Sequence, residues 1–171
     1  MSFSLFDASA PVFVRGMAAI PAWLDKAVAE GKDEAAILDA RLAPDMKPFT
    51  AQVQMASDSA KNAIARLTGI AAPAMPDTEA SIAELKVRCQ RTIDFIESVD
   101  RSALDGAAER EVELKFPNNM GYRFKGADYL TSFALPNFFF HVTTAYGLLR
   151  AQGVTLGKPD FLRHMGPPTQ F

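Results

Sequence analysis

Hydrophobic residues recur at about every third or fourth position over most of the chain, which is the spacing of one face of an α-helix. The first such stretch predicts a helix from about Ser9 to Glu30, with Ser9 as its N-cap and Gly31 beyond its end. Pro21 lies inside this stretch and removes one backbone donor there. We therefore expect a kink between Met17 and Pro21.

The same spacing predicts three more helices before position 100. A short helix begins after its cap Asp33 and breaks before Pro44. A second long helix begins after Asp45 and ends at Gly69. A third long helix follows acidic and polar caps at 77–79, and its apolar face is formed by Ile82, Leu85, Cys89, Ile93, Ile96 and Val99.

Between Glu111 and Lys125 the pattern changes to strict alternation of apolar and charged residues, which is typical of β-strands. The apolar positions are Val112, Leu114, Phe116, Tyr122 and Phe124. Turn-forming residues at 117–121 separate the two halves, so we predict a β-hairpin. Two strands are marginally stable alone, and the apolar face of the hairpin must therefore lie against the helices.

The last long helix is predicted from about Ala127 to Gln152, with a bend at Pro136. Within it, residues 129–149 carry no charged side chain and are long enough to cross a bilayer. This segment contains several polar side chains that would be costly in lipid, and no cluster of basic residues flanks it. We interpret it instead as the central helix of a bundle, without membrane association.

Composition narrows the class of protein. The chain has 171 residues, of which 49% are hydrophobic and 22% are charged, as in ordinary compact domains. We predict one domain over residues 1–171, with an extended, proline-containing tail over 154–171. A net charge of −2 does not favour nucleic acid as a partner. The single cysteine and the absence of a basic leader before position 10 predict a cytoplasmic protein.

Asn137 and His141 are the strongest candidates for a functional site. They lie four residues apart on the last helix, so both side chains leave one face and could converge on one ligand. Gln52 lies beside the apolar face of the second long helix and could face the same interior. Two alternatives remain open: His141 is a hydrogen-bonded core residue, and Gln52 lies at the bundle edge, where Gln54, Asp58 and Lys61 begin the solvent side.

Three other features give weaker indications of a functional site. Cys89 lies on an apolar helix face and is predicted to be a buried, unreactive thiol. His164 lies in the tail and is predicted to be a surface residue. The run Phe138–Phe140 wraps most of the way around the last helix. It predicts either the interface of a homodimer or a helix covered by its own domain.

Three segments of the chain resemble a known family: 135–146 (LPNFFFHVTTAY), 42–46 (LAPDM) and 4–7 (SLFD). They resemble an uncharacterised bacterial domain-of-unknown-function family within the DinB/YfiT-like superfamily of proposed metalloenzymes. The resemblance extends from the opening segment to about Leu162. It implies a mainly α, four-helix up-down-down-up bundle, here with a small β-hairpin before the last long helix. It also implies a homodimer and a central metal pocket.

In better-preserved members of that superfamily, three histidines bind the metal, and some members use the site for thiol transfer. One histidine lies on the second long helix and two form a His-x-x-x-His pair on the last helix. His141 resembles the second histidine of the pair, whereas Asn137 and Gln52 occupy the other two positions. Amide oxygens are weak ligands for zinc or nickel, so we expect no cofactor or a weakly bound divalent transition metal.

Two functions follow as hypotheses. In the first, the protein is a DinB-like bundle with a degenerate central metal site. His141 would then act as a ligand or general base, and Asn137 and Gln52 would contact a small molecule. In the second, it is a non-catalytic dimeric bundle with a structural or small-ligand-binding role. The sequence does not decide whether the protein is an enzyme.

Overall fold

The computed structural model describes residues 4–116, 118 and 120–170, and it confirms a mainly helical fold. A π-helical turn over Leu130–Ala134 precedes the last long helix, and short 3-10 turns lie at Arg101–Leu104, Ala107–Glu109 and Arg163–Met165. The helices are α1 (Leu5–Ala8), α2 (Ala10–Ala29), α3 (Glu34–Asp39), α4 (Phe49–Thr68), α5 (Ile82–Ser98), α6 (Gly126–Tyr129), α7 (Leu135–Ala151) and α8 (Lys158–Phe161).

The four long helices form the predicted bundle. α2 packs against α5 and α7, and α4 packs against the same two helices. Each long helix buries one apolar stripe, as its periodicity predicts. The core contains Phe13, Met17, Trp23, Phe49, Ile64, Leu85, Ile93, Phe138 and Val142.

Some helix boundaries agree with the sequence prediction. The Asp33 side chain accepts hydrogen bonds from two backbone N–H groups of α3, and Gly69 ends α4 in the left-handed conformation at φ 80°. Ser9 stands at the N-cap of α2, as predicted, but its hydroxyl donates to the Leu5 carbonyl because α1 lies directly before it. α2 continues through Pro21.

Two predicted helix caps are wrong. Asp45 does not cap α4, which begins at Phe49 after Pro48. A residue before proline is biased away from helical geometry, so Lys47 cannot easily extend the helix backwards. α5 is capped by Ser81 rather than by residues 77–79. The acidic side chains at those positions contact another residue, described below.

The hairpin is confirmed, with β1 (Glu111–Lys115) antiparallel to β2 (Gly121–Lys125). Val112 and Leu114 are buried, but Tyr122 opposite Leu114 is exposed, so only part of the apolar pattern faces the helices. Glycine is favoured at position 121, because a Cβ there would overlap the Leu114 carbonyl oxygen. Of the predicted turn, positions 117 and 119 lie outside the described residues.

The last long helix has a π-helical turn immediately before Pro136. The Leu135 N–H donates to the Leu130 carbonyl, five residues earlier. Proline lacks an N–H and its ring crowds the preceding turn, so a wider turn accommodates it. Gly153, at φ 76°, follows the end of the helix. In the part of the chain that the structure covers, no helix combines the length and hydropathy needed to cross a membrane.

The tail is not fully extended, in contrast to the prediction for 154–171. It forms α8 and a 3-10 turn. Pro159 lies in the first turn of α8, where its missing N–H is not needed, and the Asp160 carboxylate accepts from the Gly157 N–H at 2.7 Å. Phe161 then stacks on Trp23, with ring centroids 5.5 Å apart. Pro159 therefore stands at the start of a helix rather than excluding one.

Candidate functional site

Gln52 and His141 meet at the interface of α4 and α7. Gln52 lies in the first turn of α4 and is 1% exposed, so it is not at the edge of the bundle. Its Oε1 lies 2.9 Å from Nδ1 of His141, which is 8% exposed. The expectation that both side chains face one interior is confirmed.

The hydrogen-bond partners of Gln52 show which nitrogen of the His141 imidazole carries the proton. The amide Nε2 of Gln52 donates to the Lys47 carbonyl at 3.1 Å. The amide oxygen is therefore the atom that faces His141, and an oxygen can only accept. Nδ1 of His141 must carry the proton, which leaves the lone pair on Nε2. This tautomer is assigned from the hydrogen-bond network.

His141 is a neutral base that solvent can reach. Burial lowers the pKa of His141, so the ring is uncharged at neutral pH. Arg88 Nε is the only buried side-chain nitrogen or oxygen without a partner among the described residues. Nε2 of His141, which has no partner there either, must therefore be accessible to solvent. The exposed ring of Phe140 lies edge-on beside the imidazole, with centroids 5.2 Å apart.

Asn137 has a different partner on α4. Its Nδ2 donates to the Ser59 hydroxyl at 2.7 Å, and that hydroxyl donates to the Met55 carbonyl. Ser59 lies about 10 Å along α4 from Gln52, at the helical rise per residue. The three predicted side chains thus belong to two separate hydrogen-bonded pairs, Gln52 with His141 and Asn137 with Ser59.

These donors do not fit a three-ligand transition-metal centre. Gln52 faces Nδ1 of His141, whereas the lone pair that could bind a metal is on Nε2, so the two groups do not face one ion. Asn137 offers only an amide oxygen, which is a weak ligand for zinc or nickel. Across residues 4–116, 118 and 120–170, no three His, Cys, Asp or Glu side chains lie close enough to hold an ion.

Comparisons with known proteins agree with the helical bundle. Residues 5–162 match the family model described as a domain of unknown function, DUF1993. The chain belongs to the DUF1993 family. A crystal structure of a DinB family member protein from Shewanella denitrificans is 34% identical to it, with a TM-score of 0.86. That alignment covers 97% of this chain and 96% of the other. In the comparison with curated proteins, no match to the present chain was found.

The resemblance to an uncharacterised DinB-like family is thus confirmed, and this DUF1993 protein is DinB-like throughout its bundle. Neither comparison assigns an activity. The family match, over residues 5–162, also spans the hairpin and α8.

Sequence analysis missed a charged cluster centred on Arg88 of the DUF1993 protein. The Arg88 side chain is buried, and its guanidinium contacts the carboxylates of Glu79 at 3.0 Å, Asp58 at 2.9 Å and Asp77 at 3.0 Å. Gln54 also donates to Glu79, at 2.8 Å. This cluster joins α4, α5 and the segment before α5. The acidic residues at 77 and 79 were its one sequence signal.

The cluster also corrects the predicted solvent side of α4. Gln54 and Lys61 are buried, and only Asp58 of the three residues expected there is part-exposed. Periodicity failed here because α4 packs against α3 and β1 as well as α5 and α7, which leaves little of its circumference for solvent. Polar residues on such a helix are buried with partners.

The remaining predictions concern single residues. Cys89 is buried as predicted, and burial raises the pKa of its thiol to about 12. His164 is exposed, also as predicted. Phe138 is fully buried, Phe139 is half-buried and Phe140 is 55% exposed. The phenylalanine run therefore contributes to the core and to the surface at once.

Proposed function

We propose that this DinB-like protein has a degenerate metal site in which His141 acts as a single, neutral proton acceptor toward a small polar molecule. The observation that carries this proposal is a chain of two hydrogen bonds. Nδ1 of His141 donates to the Gln52 amide oxygen, and the Gln52 amide nitrogen donates to the Lys47 carbonyl. A histidine whose second nitrogen is held in this way presents Nε2 in one fixed orientation. A general base needs that orientation and a free lone pair.

The chemistry available at this site is proton transfer. Nε2 of His141 can accept a proton from a hydroxyl or thiol of a bound molecule, and the ring then becomes an imidazolium. The Gln52 oxygen remains hydrogen-bonded to Nδ1–H in both forms, so the ring does not have to turn. The amide oxygen of Asn137, one helical turn away on α7, can accept one further hydrogen bond. The identity of the molecule is left open by this proposal.

Nuclear magnetic resonance tests the proposal directly, because the chain has only two histidines. A His164→Gln variant leaves one imidazole to observe. We expect its nitrogen shifts to report Nδ1–H at neutral pH and a pKa below the usual histidine range. Gln52→Leu should abolish the tautomer preference, whereas Gln90→Leu at an exposed position of α5 should not. An Nε2–H tautomer, or a spectrum unchanged by Gln52→Leu, would contradict the proposal.

We propose further that zinc or nickel binds weakly or not at all. The support is the donor set, which supplies one imidazole and two amides that face different partners. Elemental analysis after dialysis should give substoichiometric metal. Asn137→His restores a His-x-x-x-His spacing and should raise zinc affinity above that of Asn137→Ala. Stoichiometric zinc or nickel in the unmodified protein would contradict this view.

A second candidate function is a non-catalytic homodimer, which is favoured by the exposure of Phe140. A large aromatic side chain that is 55% exposed on a core helix is a candidate interface residue. Light scattering should give twice the mass of one chain for the unmodified protein and a single mass for Phe140→Asp. Tyr122→Asp, at a similarly exposed ring of the hairpin, is the matched control. A monomeric unmodified protein would remove this candidate.

A further inference from the structure

A separate feature lies on the side of α7 that packs against α2, away from the contact between His141 and α4. A cavity of about 150 Å³ opens between α2 and α7. Gly16 and Ala19 of α2 and Val142 of α7 line its floor. His141 contacts α4, whereas Val142 lines this α2 side, so the cavity is separate from the site proposed above.

Aromatic side chains form the walls of the cavity. Trp23 comes from α2, Phe139 from α7 and Phe161 from α8. Phe161 is held in place by stacking on Trp23 and by an edge contact with Tyr146, at centroid distances of 5.5 and 5.7 Å. Flat, apolar walls of this kind suit a planar ring.

The segment that contributes Phe161 and His164 to the cavity lining is attached to the bundle at Asp160. Its carbonyl accepts a hydrogen bond from Trp23 Nε1 at 3.1 Å, and its carboxylate pairs with Lys26 at 3.0 Å. Both contacts bind α8 to α2. The α8 side of the cavity is therefore fixed to α2 by two contacts.

The polar side chains at the cavity are basic. Arg15 and His164 line it, and none of its lining residues is acidic. Arg15 is exposed and has no ion-pair partner within 4 Å in the part of the chain that is described. A guanidinium without a carboxylate partner can donate two parallel hydrogen bonds to a ligand carboxylate.

We propose that this cavity binds a small aromatic monoanion, with its ring between Trp23 and Phe139 and its carboxylate at Arg15. An apolar cavity of about 150 Å³ accommodates a benzene ring, so the volume fits one ring. The charge at the opening selects an anion over a neutral molecule of the same shape. This inference does not depend on the proton-transfer site at His141.

Benzoate is the probe, and benzyl alcohol is its neutral counterpart. Trp23 is the single tryptophan of the chain and lines the cavity, so its fluorescence reports occupancy without a label. We expect a saturable fluorescence change with benzoate and binding of benzyl alcohol about tenfold weaker or more, as one charge-assisted hydrogen bond gives. Arg15→Gln should remove this difference. Arg91→Gln, an equal charge change on α5, should preserve it.

A variant that fills the cavity separates binding inside it from binding elsewhere. Ala19→Leu places a larger side chain in the floor and should abolish binding of both probes, with circular dichroism confirming the fold. Three results would overturn the proposal: no saturable response to benzoate, equal affinity for the two probes, or benzoate binding that Arg15→Gln leaves unchanged. Arg15 is exposed, so this last test stands even if Ala19→Leu fails to fold.

Discussion

Replacing Arg88 with methionine tests how much the buried charged cluster stabilises the fold. Methionine keeps most of the side-chain volume and removes the positive charge. The variant leaves three carboxylates that lie around the guanidinium in the unmodified protein. The three carboxylates differ in burial, so the loss of each ion pair lowers the free energy of unfolding by a different amount.

Glu79 dominates the expected loss. Its side chain is 12% exposed, and it loses a charged partner at 3.0 Å while keeping the hydrogen bond from Gln54. Removing one member of a buried ion pair costs about 3–5 kcal/mol. Asp58 and Asp77 are 39% and 59% exposed, and pairs at such positions contribute about 1 kcal/mol or less.

One consequence of the substitution stabilises the variant. Arg88 Nε is buried without a partner among the residues described, and methionine removes that unsatisfied donor. Such a donor costs about 1–3 kcal/mol. We therefore expect Arg88→Met to lower the free energy of unfolding by about 2–3 kcal/mol at neutral pH.

The effect should shrink at low pH. Burial alone would raise the pKa of Glu79, but hydrogen bonds from Gln54 and Arg88 outweigh it and hold the pKa below the usual glutamate range. A carboxylate with a lowered pKa stabilises the fold above its unfolded pKa, and this contribution is lost as pH falls through the folded pKa. Once Glu79 is protonated, its interaction with Arg88 is weaker in the unmodified protein. Arg88→Met then lowers the free energy of unfolding by less.

Urea denaturation at neutral pH and near pH 3 measures both effects. Asp77→Asn is the matched control, because it removes the most exposed of the three carboxylates and should cost less than about 1 kcal/mol. A loss for Arg88→Met no larger than that of the control would refute the reasoning. So would a loss that is equal at the two pH values.

Two further predictions concern packing. Cys89 should react with a thiol reagent only after unfolding, because it is buried and burial raises the pKa of its thiol to about 12; rapid labelling under native conditions would contradict this. Gly16→Ala should lower the free energy of unfolding by about 1–3 kcal/mol, since its Cβ would lie 2.6 Å from the buried Phe138 ring. Gly147→Ala, with open space around its Cβ, is the control and should be neutral or stabilising by about 1 kcal/mol or less in urea denaturation.

The sequence predicted the elements of this fold better than their ends. Helical periodicity located the four long helices, and alternation located the hairpin, because each signal extends over many residues. Caps depend on one side chain with several competing partners. Asp45 and the acidic group at 77–79 resemble caps in sequence, yet Pro48 and Ser81 hold those positions. Glu79 contacts Arg88 instead, which no local pattern reveals.

The candidate site was predicted in its members but not in its arrangement. Spacing placed Asn137 and His141 on adjacent turns of α7, and Gln52 is buried with its side chain against His141, as the sequence analysis expected. Sequence reasoning could not show that Gln52 faces Nδ1 of His141, since this follows from how α4 lies against α7. Gln52 hydrogen-bonds the imidazole, and its proposed role is therefore to orient that ring.

Polar pairs join α4 to both of its neighbours, and this constrains how the bundle can pack. Gln52 and Ser59 contact α7, whereas Ser57 contacts Thr92 of α5 at 2.7 Å and Asp58 contacts Arg88. Apolar contacts are less directional than hydrogen bonds, and a shift of α4 along its neighbours would also leave buried polar groups unpaired at about 1–3 kcal/mol each. These pairs therefore specify one register of α4. A residue such as Gln52 stabilises that register and fixes the His141 tautomer through the same hydrogen bond, so packing and the proposed chemistry depend on one contact.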